Sequence, residues 1–259
     1  EAYSILSRVS YEHFPTAAAH ALTALQLAEH TDVPTTVLSS ALVGFAAAKF
    51  MAGQGLDREC YRRAIELERD APVYAADSAF ASFAAVLKVA DELDESRAML
   101  LDLLAANRDD GALPFALSHL AQLELWAGNW DAAEDFSHRH LAAATTAAQH
   151  DQVAQAMFNL ASLNAYRGAV EDAATLAERV RRSGLESGDA WTERNGLSML
   201  GLVALSSGDA ERAVHALSRW HELTVQMGLG EPGYCRMRPD YVEALVATGR
   251  LDAADEIVA

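Results

Sequence analysis

One seven-residue pattern occurs four times and limits what this chain can fold into. It reads Ala127-Gly128-Asn129-Trp130-Asp131-Ala132-Ala133, then Arg167-Gly168-Ala169-Val170-Glu171-Asp172-Ala173. Ser207-Gly208-Asp209-Ala210-Glu211-Arg212-Ala213 and Thr248-Gly249-Arg250-Leu251-Asp252-Ala253-Ala254 complete the set, with the glycines 40, 40 and 41 residues apart. Glycine ends a helix in the left-handed conformation without a Cβ clash. An acid then enters the first turn of the next helix (Asp131, Glu171, Glu211, Asp252), where the macrodipole favours it. Alanine follows five residues after each glycine (Ala133, Ala173, Ala213, Ala254), small enough for a paired helix to approach closely. A helix–turn–helix repeated at a period near forty residues predicts an all-α, right-handed α-solenoid.

Composition agrees. The chain has 259 residues, 51% of them hydrophobic and dominated by Ala and Leu, with 6 Pro and 15 Gly. Such a mixture favours helix almost everywhere. Twenty basic against 37 acidic residues leave a formal charge of −17. An acidic surface repels phosphate backbones and anionic lipids, so direct nucleic-acid or membrane binding is not expected. Cys60 and Cys235 lie far apart in no metal or redox spacing, and no apolar run is long enough to span a bilayer. A cytoplasmic setting is the expectation. The missing initiator Met, and an end at Ala259 just after a helix begins, suggest a piece of something longer.

Read in order, residues 1–14 suit the second helix of an incomplete pair. Pro15-Thr16 starts an Ala-rich helix to about His30, Asp32-Val33-Pro34-Thr35 breaks it, and another runs on to Ala52. Gly53-Gln54-Gly55 is a turn, with Asp57 as N-cap of the helix that carries Ala64 and Leu67. Asp70-Ala71-Pro72 opens the next unit, whose inner turn Asp91-Glu92-Leu93-Asp94 puts Asp where the others have Gly. Asp109-Asp110-Gly111 then precedes the regular repeats. One superhelical domain over 1–259 is expected, irregular over 1–110 and regular over 111–259, with about six to seven TPR-like helical hairpins. Counting back from the glycines, Leu120, Leu160 and Leu200 share one position, and Ala121, Ala161 and Gly201 the next.

Several motifs imitate catalytic sites. Gly228-Leu229-Gly230-Glu231-Pro232-Gly233 spells G-x-G-x-x-G, but Ala216–Met227 before it reads as helix rather than strand, and Pro232 removes an amide that a pyrophosphate would use. It is expected to be an inter-repeat loop. His138 and His140 are two apart and so point to different faces of one helix; both are expected to be solvated, and no metal site is expected. Ser198 lies inside a helical pattern, and there is no P-loop. No catalytic residue is assigned.

The first helix of each hairpin is expected to face the concave side. In the repeat register that inward ladder contains Ser118, Gln122 and Trp126, then Gln155, Phe158, Ser162 and Tyr166, then Asn195, Ser198 and Leu202, and last Arg236 and Glu243. Aromatic rings beside amides and hydroxyls suit a sugar, a small polar molecule or a peptide. The alternative is that Trp126 and Tyr166 fill the gap above a hairpin turn.

Leu113-Pro114-Phe115, continuing through Ala127-Gly128-Asn129-Trp130-Asp131, resembles the tetratricopeptide-like segment of large ATP-binding transcription regulators of the LuxR type. Gly55-Leu56-Asp57-Arg58, Gly230-Glu231-Pro232-Gly233, Pro239-Asp240 and the run from Val242 to Ala254 are similar to the same family. The resemblance implies a longer protein, with an ATP-binding module before these residues and a helix-turn-helix after them. It implies no cofactor in this part, and a regulatory role: sensing an inducer or partner and controlling self-association. The implied partners are the other domains of the same regulator, a small-molecule inducer or another protein. A stand-alone scaffold for protein–protein interaction is the second reading.

Overall fold

The repeated turns do what their composition requires. In the computed structural model, which describes residues 13–70, 73–106 and 113–258, Gly128, Gly168, Gly208 and Gly249 have φ of 80, 79, 76 and 74°. The amide following each closes a six-residue loop onto the helix just ended. These bonds are Asn129 N–H to Glu124 O (2.8 Å), Ala169 to Asn164 (2.8 Å), Asp209 to Ala204 (2.9 Å) and Arg250 to Leu245 (2.8 Å). This is the Schellman arrangement, which satisfies carbonyls that a helix end would leave orphaned. Ala133, Ala173, Ala213 and Ala254 are all buried, as their small size predicted.

Thirteen α-helices are present among the described residues, and no strand. The described residues fall into two compact units. The first holds residues up to Leu123 together with Gln226–Cys235; the second holds Glu124–Val225 and the residues from Arg236.

In the first unit lie α1 (Phe14–Glu29), α2 (Thr35–Met51), α3 (Arg58–Glu68), a 3-10 turn (Ala75–Asp77), α4 (Ala79–Val89), α5 (Leu93–Ala106) and most of α6 (Leu113–Trp126). Asp57 caps α3 as expected, accepting from Cys60 N–H at 3.2 Å. Asp91 takes the glycine role at the α4–α5 turn with φ 61°, and Glu92 N–H reaches Leu87 O at 3.0 Å. Helix α2 packs on α1, α3 and α4. Tyr61 stacks on Phe83 with centroids 4.9 Å apart. The helix expected within residues 1–14, the Pro72 opening and the Asp109-Asp110-Gly111 separator lie outside the described residues, except for Phe14, which opens α1.

The second unit contains α7 (Trp130–Thr146), α8 (His150–Tyr166), α9 (Val170–Ser187), α10 (Ala190–Ser206), α11 (Ala210–Gln226), α12 (Arg238–Ala247) and α13 (Leu251–Val258). The forty-residue period is two 17-residue helices, α7 and α8, each followed by a short turn. Helix α8 packs on α7 and α9, α9 on α10 and α12 on α13, with α8 on α10 and α10 on α12 besides. Contact with the next helix and the next but one is how stacked hairpins bury their faces, so the fold is an α-solenoid. Its core centres on Trp220, Leu217 and Leu223 of α11, against Leu197 and Met199 of α10 and Tyr241 and Leu245 of α12. Arg167 in one turn bonds back to Asp131 and Glu134 (3.0 and 2.7 Å), and Arg250 reaches Glu211 (2.6 Å) in the same manner one repeat pair later.

Two expectations need correction. His138 is exposed, but His140 is fully buried on the opposite face of α7. The two-residue offset that separates the rings is what turns one of them inward. The Gly228–Gly233 segment is also more than a loop: it lies in the first unit, packed on helix ends.

Candidate binding site

Trp126 is the last residue of α6 and Tyr166 the last of α8, so they hold the same place in hairpins forty residues apart. The Gly128 turn between α6 and α7 brings Trp130, the first residue of α7, close to Trp126. Arg236, two residues before α12, extends its guanidinium over the Trp126 ring, 4.0 Å from the centroid. Leu125, Trp126, Gly128, Trp130, Tyr166 and Arg236 together line a cavity of about 340 Å³ in the second unit. Tyr166 and Trp130 keep 49% and 39% of their surfaces in solvent, too much for rings whose only task is to fill a core.

Polar groups sit at its margin. Burial, with the Asp240 carboxylate nearby, pushes the Tyr166 phenol up, and Arg236 opposes this. Burial raises Asp240 too; its backbone hydrogen bond acts against the rise, and Glu243 adds to it. A guanidinium over an indole is worth about 0.5–2 kcal/mol depending on desolvation, enough to hold Arg236 in place. Flat apolar faces, a planar donor fork, a phenol and a carboxyl can bind a ligand that presents both an apolar surface and polar edges. No residue here is arranged as a nucleophile with a base, and no group of three or more metal-ligating side chains occurs among the described residues.

The predicted ladder thus divides. Trp126, Tyr166 and Arg236 come together at the cavity. Gln155 and Asn195, forty residues apart, meet across α8 and α10, where Asn195 Nδ2 donates to Gln155 Oε1 at 3.4 Å. Gln155 Nε2 in turn donates to Asn159 Oδ1 at 3.3 Å. Ser118, Ser162, Asn195 and Ser198 are buried. Ser162 donates to Phe158 O (2.8 Å) and Ser198 to Asn195 O (2.6 Å), so these hydroxyls serve the helix backbone. Phe158 and Leu202 are half-buried against the core, and Glu243 is exposed on α12. Gln122 belongs to the first unit, where it accepts from Lys88 Nζ.

Sequence reasoning missed Trp130 and Lys88. Trp130 follows the Gly128 turn directly, and its position between two other helix-end rings was the available signal. Lys88 is 2% exposed within the apolar α4 and also meets His119 Nδ1 at 2.9 Å. A single cation in a run such as Ala84-Ala85-Val86-Leu87-Lys88-Val89 signals a buried, partnered charge.

This architecture defines a class. Residues 113–183, which are α6 to most of α9, match the tetratricopeptide repeat family model, so the chain carries a repeat region of that type. Such repeats generally serve as non-catalytic scaffolds for protein interaction. Among solved structures the chain is similar to the crystal structure of BtubC (BKLC) from P. vanneervenii. The two share 17% identity and a TM-score of 0.57, over 83% of this chain and 92% of that one, a likeness of fold. No curated protein matches the chain in sequence. No described helix is long and apolar enough to cross a membrane.

Proposed function

We propose that this chain is the regulatory helical-repeat domain of a LuxR-type transcription regulator. In this reading it binds an effector or a partner module at the Trp126–Trp130–Tyr166–Arg236 cavity and does no bond-making chemistry. The observation that carries the binding half is the convergence of three partly open rings and a guanidinium on one cavity. The regulator context is supported by the sequence runs around Leu113–Asp131 and Glu231–Asp240, which resemble that family. Occupancy would act by population shift, a ligand favouring whichever arrangement of the repeats it binds more tightly.

Calorimetry or thermal shift of the chain against small sugars and metabolites, and against an ATP-binding module from the same reading frame, tests this. Binding that Trp126→Ala and Tyr166→Ala each weaken at least tenfold is the expected result. Binding indifferent to both changes would sink the cavity assignment. A reading frame with no helix-turn-helix would leave a stand-alone interaction scaffold, the function its repeats alone support.

A further inference from the structure

The aromatic cavity brings charges of both signs to one ring, and that narrows what it can hold. Arg236 lies over the Trp126 indole with its guanidinium carbon 4.0 Å from the ring centroid, close enough for the two flat groups to stack. A guanidinium held by its face directs its N–H groups outward in one plane, the geometry that grips a carboxylate through two parallel hydrogen bonds. Asp240 follows four residues later, in the first turn of α12. Burial raises the Tyr166 phenol, and the Asp240 carboxylate and the Arg236 guanidinium then act on it in opposite senses. Tyr166 is thus within electrostatic reach of a cation and an acid at once.

Simple ions fit such a site poorly. An anion at Arg236 would approach against a net charge of −17 and then meet Asp240, with Glu243 nearby. A cation beside Asp240 would meet Arg236. A neutral ligand would take water from both charges without supplying a counter-charge to either. A zwitterion supplies one to each, and its zero net charge leaves it indifferent to the overall field. Burial is the largest cause of the rise at Asp240, so an ammonium group beside it restores stabilisation that the ionised carboxyl lacks.

The rings and the volume set the rest of the ligand. Trp130 and Tyr166 are partly open and offer flat apolar faces, which suit another ring. The cavity of about 340 Å³ lies near the low end of the range for ligand pockets, about 300–1,000 Å³, so its occupant is one small molecule.

Resting on the reading of this cavity as the binding site, we propose that it holds a free aromatic α-amino acid. The carboxylate lies on Arg236, the ammonium group points toward Asp240, and the ring packs against Trp130 and Tyr166. The effector of the regulatory reading is then a free amino acid, selected by Arg236 and Asp240.

The test is calorimetry of the whole chain with four ligands: tryptophan, its amide, its N-acetyl form and indole-3-propionate. The amide lacks the carboxylate, indole-3-propionate lacks the ammonium group, and the N-acetyl form imitates a peptide chain end. Tryptophan should bind saturably and the other three at least tenfold more weakly. Arg236→Gln should remove the preference for tryptophan over its amide, and Asp240→Asn the preference for tryptophan over indole-3-propionate. A merely structural role for either residue would instead weaken all four ligands alike, and would overturn the proposal. Indole-3-propionate or the N-acetyl form binding the unaltered chain as tightly as tryptophan would overturn it too, with no variant needed. If tryptophan, phenylalanine and tyrosine all fail to bind while a sugar binds and Trp126→Ala weakens it, the amino-acid assignment falls and the cavity stands. Tryptophan binding that neither Trp126→Ala nor Tyr166→Ala weakens would remove both.

Discussion

At the scale of single residues, the turns separate conformational strain from packing. Gly128 has φ 80° and open space where a Cβ would lie. Gly128→Ala should therefore cost only the left-handed penalty, about 1 kcal/mol by chemical denaturation. Ala148 occupies the same conformation with φ 54°, and Gln149 N–H closes onto Ala144 O at 3.0 Å. Ala148→Gly should thus stabilise by up to about 1 kcal/mol, the relief of strain exceeding the added freedom of the unfolded chain. His140 offers a pH signature. Burial pushes its imidazole down from 6.5 to about 4, with Gln152 and Asp151 acting against the shift. The unfolded chain takes up this proton first, so stability is present above about pH 6.5 and is lost as pH falls toward 4. The loss approaches about 3 kcal/mol at full effect. His140→Phe should flatten that part of the pH–stability curve; an unchanged slope would show that the ring titrates normally.

At the scale of elements, the closest helix pairing was the least visible in the sequence. Gly184 of α9 and Gly196 of α10 lie in ordinary helix, yet a Cβ on either would meet backbone of the other helix, Glu193 N at 2.2 Å or Arg181 N at 2.4 Å. Gly196→Ala should cost more than Gly128→Ala, about 1–3 kcal/mol as overpacking, although alanine is the better helix former. A smaller loss would mean that α9 and α10 can slide apart. Gly201 shows the same logic against Leu217, whose side-chain carbons would lie 2.4 Å from a Cβ at that position. The sequence register placed Gly201 with Ala121 and Ala161, so smallness there was legible. At Gly184 and Gly196 no repeat signal existed, because the close approach belongs to one pair of helices, at the step between two hairpins.

For the molecule as a whole, the −17 charge is the property that reaches every repeat. The ion pairs Arg167–Asp131, Arg167–Glu134 and Arg250–Glu211 join successive hairpins but are exposed, so each contributes little. Repulsion among the remaining acids should outweigh them. Raising sodium chloride from about 10 to 150 mM shortens the screening length to about 8 Å and should raise the melting temperature. A fall would mean that the attractive pairs dominate. The solenoid, its period and its turns were legible because each repeat writes the same local chemistry at the same offset. The candidate cavity was legible in part: the register named Trp126, Tyr166 and Arg236, which line it, but also Ser118, Ser162 and Ser198, which are buried.

The sequence by itself determined the helices, their capped turns and the forty-residue spacing, since left-handed glycines, first-turn acids and helix-favouring residues act within a few positions of one another. Tertiary structure decided which face of each helix is covered. It buried His140 while leaving His138 in water, gathered Trp130 into the aromatic cavity, and laid Gly228–Gly233 over helix ends far away in the chain. Those outcomes depend on contacts between residues tens to hundreds of positions apart, and a local pattern carries no information about which partner will arrive.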